Sequence, residues 1–336
     1  MQLYEIRLCK KDEYDQLKSF FHDYWSADHI FVKDKSIFEF QHGKAENGYY
    51  DYVVAVHKPT GEFHGILGFI RSSLYDGRDF DRPQAIYGAL WKVRDDVKNN
   101  DVGKLGLGLL FYLIEMFPDS SYITLGLSKY SQRIYSGLHF NFDKMEHYYI
   151  ANDKLSAYQI ISNPRLEHEG KSDGAIELRS IENTENIQNT FFPDKNEEYI
   201  RNRYLNHPMY HYELIGIYKE KKLVCIWVIR KIMIEDAACI RIVDMVGALE
   251  GLGNILECVR KLLVQHDAEY IDCYNCGIAS EQFYQLGFRK VEGDTIVPNY
   301  FEPFERVNVD IYYAYYSKQD VIIFKGDGDQ DRPSIN

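Results

Sequence analysis

The sequence predicts an α/β protein with mixed sheets (an α+β arrangement), built from two halves that share one plan. Strand-like runs alternate with helical patterns, and the order strand, helices, hairpin, long strand, glycine turn, helix, strand and short helix occurs twice. The short helix of each half ends in a similar sequence, YSGLHF at 135–140 and FYQLGF at 283–288. We therefore predict domains over 1–155 and 175–336, joined by a linker over 156–174. With 336 residues, 45% of them hydrophobic, the chain can fill two cores.

In the first half, alternating apolar residues predict strands and helical spacing predicts helices. Pro59 and Gly61 mark a hairpin turn, and Pro118 ends the main helix. The predicted elements are a strand at 1–8, a helix at 11–21, hairpin strands at 52–57 and 63–70, a long strand at 85–93, a helix at 107–116, a strand at 121–127, a short helix at 131–136 and a strand at 147–151.

A glycine-rich stretch follows the long strand of the first half. Gly103, Gly106 and Gly108 form G-x-x-G-x-G just before the predicted helix. Glycine lets the backbone come close to a ligand, and the free N–H groups of a helix N-terminus suit phosphate oxygens. A Rossmann turn is disfavoured, because residues 94–102 form a long polar loop and the strand at 121–127 ends without an acidic residue. Glycines that only allow close helix packing remain the alternative.

The second half repeats the plan with a weaker glycine turn. Its turn, Gly251-Leu252-Gly253, is preceded by Glu250, whose charge would repel a phosphate group, and the loop is short. We therefore predict that only the first turn binds phosphate. The predicted elements are a strand at 176–180, a helix at 187–204, hairpin strands at 212–218 and 223–230, a long strand at 239–247, a helix at 255–265, a strand at 270–274 and a helix at 279–286.

Charge and composition exclude several classes of function. The formal charge of −12 argues against non-specific binding to nucleic acid or to anionic membranes. No signal sequence and no membrane-spanning run is evident, so we predict a cytoplasmic protein. Cys273 and Cys276 form a C-x-x-C without a second pair, which predicts reduced thiols and no metal site. The sequence contains no clear signal for an oligomer.

The residues Leu286-Gly287-Phe288, set after a glycine-turn helix and a strand, resemble the acyl-CoA N-acyltransferases of the GNAT superfamily. The glycine turn after the long strand is similar too, and the resemblance covers both halves. It implies two GNAT-like domains packed side by side. The first would bind acyl-CoA (acetyl-CoA or a longer acyl-CoA) as co-substrate with no permanently bound cofactor, and the second, degenerate domain would contribute to the acceptor site.

Among such proteins, the two-domain arrangement resembles N-acyltransferases that act on nucleotide-linked amino sugars in surface-polysaccharide biosynthesis. The resemblance implies a small-molecule acceptor in the cleft between the domains. Two alternatives stay open: aminoacyl transfer to a peptidoglycan precursor, and a non-catalytic tandem GNAT-like binding module.

The resemblance also implies which residues contact acyl-CoA. Backbone N–H groups near Trp91 and Val93 would stabilise the oxyanion that forms from the thioester. Where the family usually has Arg or Gln at the start of the phosphate turn, this chain has Gly103, and the neighbouring Lys104 is the candidate to replace that contact. The predicted phosphate-binding residues are Gly103, Lys104, Leu105, Gly106, Leu107 and Gly108.

Acyl transfer to an amine needs a neutral amine and a protonated leaving thiol. Asp95 is the predicted base, since period-2 alternation puts it on the side of Trp91 and Val93. The resemblance implies Tyr135 as the proton donor, and the matching Phe283 has no hydroxyl. A solvated loop carboxylate, an aromatic that only packs, and a substrate-assisted route are the alternatives.

Four residues are candidates for binding the acceptor. Asp244 is a carboxylate within an apolar strand, which needs a partner: a sugar hydroxyl, the amine or a nearby arginine. His29 lies in the aromatic segment that caps the acceptor side in GNAT folds, although simple packing also explains it. Arg203 is expected to grip a diphosphate, or to lie on a solvated helix face. Tyr300 belongs to the segment 298–304, which adds to the likeness to the nucleotide-sugar enzymes.

Overall fold

The protein has the predicted α/β class, with helices packed on two large mixed sheets. The computed structural model describes residues 3–43, 48–79, 82–98, 101–166, 176–184, 187 and 189–334. The helices are α1 (Tyr14–Tyr24), α2 (Ile30–Lys33), α3 (Lys35–His42), α4 (Ser73–Asp76), α5 (Val102–Met116), α6 (Lys129–Gly137), α7 (Glu197–Ile200), α8 (Leu256–Gln265) and α9 (Ser280–Leu286). None of these helices is long and apolar enough to cross a membrane.

The strands follow the predicted order, with added short strands near the C-terminus. They are β1 (Tyr4–Lys10), β2 (Tyr49–His57), β3 (Phe63–Arg71), β4 (Ala85–Val93), β5 (Ser121–Leu125), β6 (Asn141–Lys144), β7 (Glu146–Ala151), β8 (Ile176–Ile181), β9 (Glu213–Lys219), β10 (Lys222–Ile234), β11 (Ala237–Gly247), β12 (Ala268–Cys276), β13 (Arg289–Lys290), β14 (Tyr300–Phe301), β15 (Phe304–Glu305), β16 (Tyr312–Tyr316) and β17 (Ile323–Phe324).

The two sheets exchange strands between the halves of the chain. Among the described residues, the first sheet has the order β1-β2-β3-β4-β5-β16-β6 and the second has the order β13-β7-β12-β11-β10-β9-β8. Thus β16, from the C-terminal part, pairs between β5 and β6, while β7, from the N-terminal part, pairs with β12. The boundaries near 155 and 175 remain predictions, and residues 167–174 of the predicted linker lie outside the described residues.

The first sheet opens into a wedge between β4 and β5. These strands pair in parallel only from Ala85 to Gly88, so the rest of β4 has no β5 partner. The register with β3 shifts there, since Leu67 is opposite Trp91 and Phe69 is opposite Gly88, which leaves one extra residue in β4. Such a bulge bends the strand and increases its twist. The bulge therefore helps β4 to diverge from β5.

The second sheet has the same bulge but no open wedge. Val228 is opposite Asp244 and Ile229 is opposite Ile242, so Val243 is the extra residue of β11. Here β17 pairs with the end of β12, and the N–H of Gly326 donates to the Val243 carbonyl at 2.7 Å. The C-terminal segment thus fills the space that stays open in the first sheet.

Helix α5 begins earlier than the sequence predicted. The glycine stretch was expected to precede a helix starting at Leu107, but α5 begins at Val102, so the glycines lie in its first two turns. The spacing of the buried leucines explains the difference, because Leu105 already belongs to the apolar face that continues through Leu109 and Leu113. Packing of this face outweighs the low helix propensity of glycine.

Candidate active site

A cavity of about 770 Å³ occupies the wedge between β4 and β5. Trp91 and Val93 line it from β4, and Gly103, Gly106 and Leu107 line it from the first two turns of α5. Of the residues predicted to contact acyl-CoA, the structure brings these five together around one cavity. The N-terminus of a helix with free N–H groups at the edge of this cavity suits an anionic ligand.

The other predicted phosphate contacts lie outside the cavity lining. Leu105 is fully buried in the core beneath α5, while Lys104 is exposed on the helix surface. Gly108 is half-buried in the second turn, beyond the orphan N–H groups at the start of the helix. The residues predicted to form a turn belong to α5 instead. Side chains point outward all around a helix, so only one face of α5 lies against the wedge.

Backbone N–H groups of β4 point into the wedge. Arg94 donates its N–H to the His64 carbonyl of the neighbouring β3. Successive residues of a strand direct their backbone groups to opposite edges, so the N–H groups of Val93 and Trp91 point away from β3. Since β5 has already diverged there, these donors are available to a carbonyl group in the cavity.

Tyr135 lines the same cavity from α6 but is almost completely buried. Its hydroxyl forms a hydrogen bond of 2.9 Å with the hydroxyl of Tyr122, and either oxygen can be the donor. Burial raises the pKa of Tyr135 well above its usual value, with Tyr122 adding to the shift. The phenol therefore stays protonated at neutral pH and can serve as a proton donor but not as a base.

Asp95 lies at the mouth of the cavity, where it is solvated. Its side chain is 86% exposed and forms an ion pair of 2.5 Å with Lys92. The carboxylate is therefore surrounded by water and engaged by a cation at the edge of the cavity.

A second cavity of about 570 Å³ adjoins the first. The two cavities share four lining residues, which form their common boundary: Trp25, Ala89, Leu125 and Gly126. Much of the remaining wall of the second cavity comes from the second half of the chain, including Tyr210, Arg230 and residues of the segment 325–334. Molecules in the two cavities can therefore meet at the β4 bulge.

His29 and Tyr300, two of the predicted acceptor-binding residues, both line the second cavity. The His29 ring packs against Phe21 at 5.2 Å, and its Nδ1 accepts a hydrogen bond from the Phe31 N–H. Burial, with a smaller contribution from Arg332, lowers the pKa of His29 to about 3, so the imidazole is neutral. Tyr300 is half-exposed and its ring is free to contact a ligand.

Arg203 and Asp244 are not brought into either cavity. Arg203 donates to the carbonyls of Gly326 and Gly328, at 3.2 and 2.7 Å, and so anchors the C-terminal segment. Asp244 accepts two hydrogen bonds from the buried Lys195, at 2.6 and 2.8 Å. Both side chains form hydrogen bonds with groups in the protein interior. They stabilise the fold there, and the structure does not show the ligand contacts that the sequence analysis expected.

The sequence interpretation missed the contribution of the C-terminal segment. Lys325 and Asp331 line the second cavity, and Asp331 pairs with Arg230 at 2.8 Å. Nothing local in the sequence shows that the segment inserts beside β11, because that placement depends on contacts with residues far away in the chain.

Among the described residues, no group of three or more His, Cys, Asp or Glu side chains is arranged to hold a metal ion. The six cysteines form no disulfide. Cys258 is partly exposed, and the other five are buried.

The fold is that of the GCN5-related N-acetyltransferases, as the resemblance implied. The chain aligns with a GCN5-related N-acetyltransferase from Anabaena variabilis at a TM-score of 0.55 and 9% identity, over 93% of this chain and 72% of that chain. A putative acetyltransferase from Pyrococcus horikoshii aligns at a TM-score of 0.48 and 10% identity, covering 95% and 91% of the two chains. An N-myristoyltransferase from Saccharomyces cerevisiae with bound myristoyl-CoA aligns at 0.45 and 8% identity, covering 94% and 78%.

Neither a protein-family model nor a curated protein sequence matches this chain. At a TM-score of 0.55 and 9% identity, the likeness to the Anabaena variabilis protein establishes the fold, and the activity follows from the site as a proposal.

Proposed function

We propose that this protein is an acyl-CoA-dependent N-acyltransferase whose acceptor is the amine of a nucleotide-linked amino sugar. One observation supports this function most directly: the open wedge beside α5 continues into a second cavity at the β4 bulge. A donor and an acceptor can enter from different sides and meet there, as direct transfer requires.

In this proposal acyl-CoA lies in the wedge, with its pyrophosphate at the N-terminus of α5. The absence of a side chain at Gly103 and Gly106 lets phosphate oxygens approach the helix backbone. The thioester carbonyl lies beside the N–H groups of Trp91 and Val93, which stabilise the oxyanion as it forms.

The acceptor amine attacks the thioester carbon directly, without a covalent enzyme intermediate. A new C–N bond forms while the C–S bond breaks, and the thiolate leaves as the sulfur takes up a proton. Tyr135 lines the cavity and remains protonated, so it is the proposed donor of that proton. The proton that the amine nitrogen loses as the amide forms replaces the one that Tyr135 gives to the sulfur, and the hydrogen bond with Tyr122 holds the Tyr135 hydroxyl in place.

The second cavity combines features that suit a nucleotide sugar. The exposed ring of Tyr300 suits stacking on a base, and the guanidinium groups of Arg230 and Arg332, which pair with Asp331 and Asp329, bring two cations to the cavity wall for a diphosphate. Carboxylates in the same wall, such as that of Glu302, can accept hydrogen bonds that sugar hydroxyl groups donate.

A thiol-release assay tests this function. Acetyl-CoA and longer acyl-CoA molecules are supplied with a panel of dTDP- and UDP-amino sugars, and matched nucleotide sugars without an amine serve as controls. We expect thiol release only with amino sugars, together with a product whose mass has increased by one acyl group. The proposal is contradicted if no amino sugar of the panel gives thiol release, or if an aminoacyl-tRNA donor releases free tRNA without any thiol.

Variants of two equally exposed tyrosines test the acceptor cavity. Tyr300 and Tyr284 are both 50% exposed, but only Tyr300 lines the second cavity. Loss of base stacking costs about 1–3 kcal/mol, so Tyr300→Ala should raise the KM for the amino sugar about 5- to 100-fold. The KM for acyl-CoA should not change, and Tyr284→Ala should leave both constants unaltered.

A further inference from the structure

Lys325 is a buried lysine at the wall of the acceptor cavity. Its side chain is 5% exposed and lines the second cavity just after β17. Its Nζ donates to the Asn299 side-chain oxygen at 2.6 Å and lies 5.6 Å from the centre of the Tyr274 ring. Within the part of the chain that the structure describes, no carboxylate lies within salt-bridge distance of this nitrogen.

Lys195 provides the contrast within the same molecule. It is equally buried, but its Nζ forms ion pairs with Asp244 at 2.6 Å and with Asp327 at 2.9 Å. A buried ammonium is stable only when it is paired in this way. Lys325 has an amide partner instead, so its surroundings favour the neutral amine.

The charges around Lys325 strengthen this difference. The charges of Arg241 and Arg230 disfavour an ammonium group at Lys325, while the carboxylates of Asp331 and Asp272 are each already engaged by one of these arginines, at 2.8 and 2.6 Å. Burial, followed by the Arg241 charge, lowers the pKa of Lys325 to about 7. The remaining titratable groups of the cavity wall, apart from its tyrosines, are Asp28, the neutral His29, Glu302 and the Asp329–Arg332 ion pair.

We propose that Lys325 is the base that deprotonates the acceptor's ammonium group in the second cavity. This inference rests on the proposed N-acyltransferase function. The ammonium N–H bond breaks and its proton passes to the lone pair of Lys325 Nζ, which leaves a neutral amine to attack the thioester. Lys325 then becomes an ammonium group and returns its proton to solvent when the product leaves.

Asn299 orients this lysine. Its side-chain oxygen accepts one N–H of the Lys325 amine, which leaves the lone pair directed elsewhere. Asn299 is itself held by Arg241, which donates to its backbone carbonyl at 3.3 Å. A general base with a pKa near the working pH contributes about 10²–10⁴-fold to the rate.

A titration of the whole protein tests the protonation state without any acceptor. Lysines labelled with ¹³C at Cε are followed by NMR from pH 5 to 10, and the Lys325 signal is assigned with Lys325→Arg. We expect the Lys325 signal to titrate near pH 7 while that of Lys195 remains protonated throughout. A Lys325 signal that stays protonated above pH 9 overturns the proposal, whatever the panel of amino sugars shows.

The second measurement uses an amino sugar that gives thiol release. Lys325→Met and Lys325→Arg should each lower kcat/KM at least about 100-fold. Arginine keeps the charge but cannot accept a proton at this pH, so a structural role predicts rescue by arginine and a role as base does not. The exposed Lys231→Met is the control, and CoA affinity and thermal unfolding confirm that the variants fold.

The pH profile and the panel of amino sugars together distinguish a failure of Lys325 as the base from a failure of the proposed function. Wild-type kcat/KM should rise with pH through about 7, and that limb should vanish in Lys325→Met. An active panel with an unchanged pH limb, or with activity within threefold of wild type, overturns the role of Lys325 alone. A silent panel with a neutral Lys325 refutes the proposed function and this role with it.

Discussion

Gly106 offers the sharpest test of the donor site, because the structure shows what a side chain there would meet. A Cβ at this position would lie 3.3 Å from Cζ2 of Trp91 and 3.6 Å from its Nε1. Both residues line the wedge cavity. A leucine at 106 must therefore push the indole ring aside or extend into the space proposed for acyl-CoA.

The expected loss of affinity follows from the contacts at the start of α5. One charge-assisted hydrogen bond from a helix N–H to a phosphate oxygen contributes about 1.5–3 kcal/mol. Each 1.4 kcal/mol is a tenfold change in Kd, so Gly106→Leu should weaken CoA binding about 10- to 100-fold. Overpacking against Trp91 costs about 1–3 kcal/mol of stability, and about 1 kcal/mol is recovered by replacing a helical glycine.

Isothermal titration calorimetry with CoA measures this effect, and thermal unfolding monitors the fold. Gly137→Ala is the control, since a Cβ at 137, in α6 and outside the cavity lining, would meet no atom within 4 Å. We expect the control to bind CoA within twofold of wild type and to gain about 0.5–1 kcal/mol of stability. A folded Gly106→Leu protein with wild-type affinity for CoA would refute the placement of acyl-CoA in the wedge.

Three further substitutions test individual side chains. Tyr135→Phe should lower kcat about 100-fold with little change in the KM for acyl-CoA; an unchanged kcat would favour proton transfer from the substrate itself. Asp95→Asn should change kcat/KM less than about threefold, because the carboxylate is exposed; a 100-fold loss would restore Asp95 as the base. Burial alone would raise the pKa of Asp272, but Arg241 and His147 lower it to about 2. Its folded-state pKa is thus below the unfolded value, so the free energy of unfolding should fall by about 2–3 kcal/mol between pH 5 and 2. In Asp272→Asn, this acid-limb slope should be reduced in urea titrations.

The plan of the fold was predictable because its signals are local. Strand alternation, helical spacing and the glycine and proline turns located most elements of both halves, and the sequence at 286–288 pointed to the fold. The helix predicted at 187–204 was wrong in its first part, since the described residues before Glu197 are not helical. Gly106 followed from the glycine pattern, whereas Trp91 and Val93 followed from the resemblance, applied to the long strand that precedes it. The start of α5 was missed because the packing of Leu105 outweighed the propensity of its glycines.

The acceptor cavity was less predictable because distant segments build it. The exchange of β7 and β16 between the sheets joins residues that lie far apart in the chain. A sequence pattern also does not distinguish a solvated lysine from Lys325, which is buried beside Asn299. Arg203 looked like a ligand-binding residue for the same reason: its carbonyl partners at Gly326 and Gly328 become neighbours only in the folded protein.

The two halves differ in what occupies the space beside the bulge of their long strand. Both long strands have an extra residue where they diverge from a parallel neighbour, at 89–90 in β4 and at Val243 in β11. In the second half, β17 and the N–H of Gly326 fill that space, and Lys195 holds Asp244 and Asp327 together across it. The filling segment then continues through Lys325 into the wall of the cavity beside the first wedge. The same segment therefore closes the wedge in the described part of the second half and builds the wall of the proposed acceptor site.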